Sequence, residues 1–153
     1  MDDLLSEIES YFKYSDLSAL DISKWSVGMQ LHHALLAING ITVSLSESSP
    51  RKHRVSFSPV RNMILLFKRI PRGRGKAPDV SLPDSTISQE ELRTLLESAR
   101  ANIDRARNSD PLTWWRHELF GAMNRDTALR FIETHTKHHV LLARDIIRSN
   151  NVS

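Results

Sequence analysis

With seven histidines and no cysteine in 153 residues, imidazole is the side chain on which any nitrogen- or sulfur-ligated metal would depend. The same count excludes disulfides, thiolate ligands and a cysteine nucleophile. Two histidines stand out by position. Ala128, Ile132, His135, His139, Leu142 and Ile146 follow one another in steps of four and three, the seam of a helix packed in a bundle core. Four residues apart, His135 and His139 project from one face about a turn from each other, the spacing by which one helix supplies two ligands to one metal ion. The competing account is two ordinary buried histidines, each hydrogen-bonded to a neighbour. An unpaired buried ring nitrogen is costly, so either account requires partners.

A third ligand would have to come from another element, and the most apolar segment, Trp25 to about Leu45, offers His32 and His33. Val27, Leu31, Ala34, Ile38, Ile41 and Leu45 make one helical stripe, and Met29, Leu36 and Val43 line a second face. A helix apolar on two faces belongs in a bundle interior. His33 falls on the run Met29, His33, Leu36, Gly40, Val43, and His32 on Trp25, Met29, His32, Leu36, Asn39, so periodicity does not choose between them. Either one meeting His135 and His139 gives three neutral imidazoles and an open position for water or substrate. A metal there would lower the pKa of a bound water or make a thiolate of a bound thiol. Because the rings must shed protons first, affinity is expected to fall as pH drops through about 6.5. Gln30, Asn39 and His117 are the polar residues available to orient the ligands.

The remaining elements read as helices and connectors. Leu5, Ile8 and Phe12 give a short amphipathic helix over 2–14, followed by a linker over 16–24. After a polar loop containing Pro50, Ser58-Pro59 opens a helix carrying Val60, Met63, Ile64, Phe67 and Ile70. Residues 71–87 form a long connector. Ser88 and Glu91 make a capping box ahead of the stripe Leu92, Leu95, Leu96, Ala99, Ile103, Ala106. Asp110-Pro111 starts a short turn through Trp114 and Trp115, one ring expected in the core and the other partly exposed. The last helix runs from about Asn124 to Ser149. No segment alternates long enough to predict a strand, and Val55-Ser56-Phe57 decides nothing. The expectation is one all-α domain over 1–153, a four-helix bundle with an extra short helix between the second and third main helices.

Composition limits the setting. With 40% hydrophobic and 25% charged residues the chain is an ordinary globular one. The start, Met1-Asp2-Asp3-Leu4, is acidic where a secretory leader would be basic, and no apolar run reaches membrane-spanning length, so a cytoplasmic protein with no membrane partner is expected. The net charge of +3 permits anionic partners without demanding them. Five cations lie between Lys68 and Lys76, with Arg51, Lys52 and Arg54 upstream. Arg69, Arg72, Arg74 and Lys76 are candidates for an anion-binding loop or a lid over a site mouth, with a solvated loop the favoured account. Nucleic acid is disfavoured, because no aromatic residues interleave these charges to stack on bases. His53 sits in a polar loop and is assigned nothing.

Taken in order, Trp25-Ser26-Val27 with His32-His33, then His117-Glu118-Leu119-Phe120-Gly121, then His135-Thr136-Lys137-His138-His139, resemble the DinB-like superfamily of metal-binding four-helix bundles. The resemblance spans about residues 25–149, and the loop over 70–78 resembles an uncharacterised branch. It implies His33, eight residues after the tryptophan, together with His135 and His139 as metal ligands. His32, His117 and His138 become neighbours of the site. Many relatives carry proline where this chain has Glu118, so the local turn is expected to differ. The superfamily includes the bacillithiol S-transferases, but no residue here identifies that thiol. Implied is a metal-dependent hydrolase or thiol S-transferase acting on a small molecule, with a low-molecular-weight thiol among the candidates. The alternative is a non-catalytic module that binds metal or an anionic partner. Zinc or nickel is the expected metal, iron and manganese remain compatible with imidazole ligands, and a homodimer is compatible with the class.

Overall fold

Ser26, Ser58, Ser88 and Asn124 start four helices by one device. Each side-chain oxygen accepts the backbone N–H three residues on, from Met29, Arg61, Glu91 and Thr127 respectively. The computed structural model describes residues 1–50, 58–71 and 87–151. In chain order it contains α1 (Asp2–Ser10), a 3-10 turn (Phe12–Tyr14), α2 (Val27–Glu47), α3 (Pro59–Phe67), α4 (Gln89–Arg107), β1 (Trp114–His117), β2 (Gly121–Asn124) and α5 (Arg125–Ser149). With 67% of the described residues helical and one two-stranded sheet among them, the protein is mostly α. No helix among the described residues is long and apolar enough to cross a membrane.

The core is built on α2, which lies along both α4 and α5. The whole stripe Val27, Leu31, Ala34, Ile38, Ile41, Leu45 is buried, whereas Met29, Leu36 and Val43 are only half-buried. The stripe of α4 meets it through Leu92, Leu96, Ala99 and Ile103, and that of α5 through Ala128, Ile132 and Ile146. Leu5 and Ile8 bring α1 onto this core, and a Glu7 carboxylate paired with Arg144 ties α1 to α5. The first turn of α2 is closed by the preceding chain: Val27 N–H donates to the Leu17 carbonyl and Gly28 N–H to that of Ser15, at 2.9 and 2.8 Å. Glycine eases that approach, because a Cβ on residue 28 would stand 3.0 Å from the Ser15 oxygen and crowd it.

Three features differ from expectation. The segment after Asp110-Pro111 is an antiparallel hairpin, with Trp114 opposite Asn124, Trp115 opposite Met123, Arg116 opposite Ala122 and His117 opposite Gly121. Strands of four residues are too short for a visible alternation, and the reversal depends on Gly121 at φ 72°, a local device invisible to periodicity. Both tryptophans are half-buried, so neither ring is wholly in the core. Helix α3 stops at Phe67, with Lys68 left-handed at φ 48°, short of the expected Ile70. Pro71 keeps Ile70 out of the helix, since the residue before a proline is driven from the helical region, and the left-handed Lys68 already ends it two residues earlier. Of the candidate anion-binding loop, Arg69 is described and exposed, while Arg72, Arg74 and Lys76 lie outside the described residues, as do His53 and Val55–Phe57.

Candidate metal centre

Helix α5 presents His135 and His139 one turn apart, and α2 brings His33 against them. One ring nitrogen from each lies within 4.8 Å of the others, a group of three able to hold one metal ion. The Nε2 atoms of His33 and His135 are 3.3 Å apart. Two nitrogens about 2.05 Å from a tetrahedral zinc would be separated by about 3.3 Å. The same distance accommodates an N–H···N hydrogen bond between the rings. The three rings pack at centroid distances of 5.1, 4.6 and 4.6 Å, mostly edge to face.

Burial keeps two of these rings, His135 and His139, neutral. His135 is held at a pKa of about 3, by desolvation first and then by the neighbouring His33, His138 and His117. His139 is held well below the ordinary value by the same desolvation, and then by His135, His33 and His138. Both therefore carry lone pairs at neutral pH. Protonation of these two rings sets in well below the ordinary value of about 6.5.

A polar partner fixes the orientation of His139. Its Nδ1 is 2.7 Å from Oε1 of Gln30, and Gln30 Nε2 donates to Ser23 Oγ at 2.9 Å. Ser23 Oγ also accepts the Trp25 N–H at 3.0 Å. Trp25 precedes the Ser26 cap and so lies outside the helix, its ring stacked against His139 at 20° and tilted against His33. On the other flank Phe131 stacks on His135 at 24°, backed by Trp115, His117 and Phe120. The site is thus a nitrogen cluster between aromatic walls.

The other histidines take different places. His32 turns to α4, its Nε2 3.1 Å from Glu91 Oε1, with its buried Nδ1 unpartnered. Its carboxylate thus engaged, Glu91 does not close the reciprocal half of the expected capping box among the described contacts. His117 packs on Phe131 and Phe120, accepts the Leu119 N–H on Nδ1 at 3.0 Å, and has its pKa lowered by burial against an opposing effect of Glu118. His138 stands edge to face against His139. Of the polar neighbours named from sequence, Gln30 meets His139, whereas Asn39 donates to the Leu95 carbonyl and accepts from Asn102 across the α2–α4 face. Trp25 as a wall of the site had a usable signal, since a residue just before a helix cap can fold back over the first turns. Comparison of the chain with family models, curated proteins and solved structures returned no match.

Proposed function

We propose that this protein binds one divalent metal ion, zinc or nickel, through His33, His135 and His139, and acts as a metal-dependent hydrolase or thiol S-transferase on a small substrate. The observation that carries the reading is the convergence of three imidazoles from two helices, with one nitrogen of each within 4.8 Å of the others. The resemblance to the DinB-like superfamily supports it, with α1, α2, α4 and α5 as the four bundle helices and α3 as the inserted one. When bound, the metal supplies Lewis acidity at a position left open by three protein ligands. The chain's own contribution is to hold the three nitrogens together, to keep His135 and His139 unprotonated by burial, and to fix His139 through Gln30. Trp25 and Phe131 flank the ligands and limit the water around them.

The test is elemental analysis of untagged protein alongside single and double variants. His33→Ala, His135→Ala and His139→Ala should each lower metal occupancy sharply, while His32→Ala and His53→Ala keep it. Full stoichiometry retained in the His135→Ala/His139→Ala double variant overturns the site.

A further inference from the structure

Gln30 is 1% exposed, buried on α2, where an amide must find partners on both its ends. It finds them in a directed chain. Its nitrogen donates to Ser23 Oγ, which commits its oxygen to His139 Nδ1 at 2.7 Å. A carbonyl oxygen can only accept, so Nδ1 of His139 must carry the ring proton, and the lone pair is left on Nε2. Gln30 also sits three residues before His33, on the same face of α2, so one helix supplies both a ligand and the group that orients another.

We infer that Gln30 is a positioning residue for the metal centre, holding His139 in the Nδ1–H form so that Nε2 is the atom offered to the ion, with Ser23 fixing the amide. The inference rests on the metal reading above, but the tautomer it assigns is a property of the metal-free chain. Ser23 lies in the segment between α1 and α2, and the same hydroxyl accepts from Trp25. The chain therefore connects the ligand to the segment carrying the tryptophan that stacks on it.

The experiment has two arms. Ring-nitrogen NMR of metal-free protein reads the His139 tautomer, and competition with a chromophoric chelator reads zinc affinity, in wild type, Gln30→Met and Gln30→Glu. Methionine keeps length and apolar bulk but accepts only weakly, and glutamate restores a strong acceptor at the same reach. Expected are an Nδ1–H ring in the wild type, loss of that preference with zinc affinity lowered about 10- to 100-fold in Gln30→Met, and recovery of both in Gln30→Glu. Thermal melts of the metal-free variants separate this from general loosening, which glutamate would not repair. An Nε2–H ring in wild-type protein that binds zinc overturns the assignment and leaves the metal reading intact. Wild-type affinity in Gln30→Met overturns the positioning role. Failure of the wild type to bind zinc, with His139 still Nδ1–H, overturns the metal reading and leaves the tautomer assignment standing.

Discussion

Acidifying the metal-free protein should cost stability in a window set by the desolvated rings of His135 and His139. In the unfolded chain His135 titrates near the ordinary value of about 6.5, whereas in the folded chain it is held at about 3. A group whose pKa is lowered by folding leaves stability complete above the unfolded value and removes it progressively as pH falls toward the folded one. At pH 5 the unfolded state is protonated at this ring and the folded state is not, so the loss is about 1.5 pH units at 1.36 kcal/mol each, or about 2 kcal/mol. His139 is shifted the same way and adds to it. Against a typical total of about 5–15 kcal/mol this is a large fraction. The assay is urea unfolding at pH 7, 6 and 5 with a chelator present, in wild type and in His135→Gln, which cannot gain the proton. Wild-type stability should fall more steeply than the variant's, with the difference approaching about 1.4 kcal/mol per pH unit between pH 6 and 5. Equal slopes in the two proteins would refute a neutral, desolvated His135.

Zinc affinity should share this protection: three freely titrating imidazoles would lose on the order of 10⁴-fold between pH 7 and 5, whereas two shielded rings leave about 25-fold at most to the third. A chelator competition at both values decides, and a loss of a thousandfold or more contradicts the shielding. Gly28→Ala should destabilise by about 1 kcal/mol in denaturant titrations, because crowding of the Ser15 carbonyl outweighs the gain in helix propensity. Alanine at Arg69, Arg72, Arg74 and Lys76 together should leave metal content intact, as all four lie away from the three ligands in sequence, and retention on DNA or RNA columns should stay weak in both wild type and variant. Tight, salt-sensitive binding abolished by the substitution would instead make this loop a nucleic-acid contact.

Much of this protein is written locally. The heptad-like seam of α5, the buried stripes of α2 and α4, and the serine caps at 26, 58 and 88 lie in short-range spacing, and spacing is what a helix converts into a face. The His135/His139 pair was legible for the same reason, since both histidines belong to one helix. The hairpin after Pro111 was not legible, because four-residue strands carry no period and their pairing is a contact between segments. Nor could the sequence alone choose between His32 and His33. Neighbouring residues on a helix point about 100° apart, and on a helix packed along two partners both directions are interior. Only the packing of α2 between α4 and α5 decides that His32 meets Glu91 while His33 meets His135. Tertiary structure likewise decides that Gln30 meets His139 while Asn39 turns to α4. The sequence by itself determines which side chains share a helix face. Which face meets which partner depends on how the helices cross, and that is where the lowered ring pKa values and the tautomer of His139 arise.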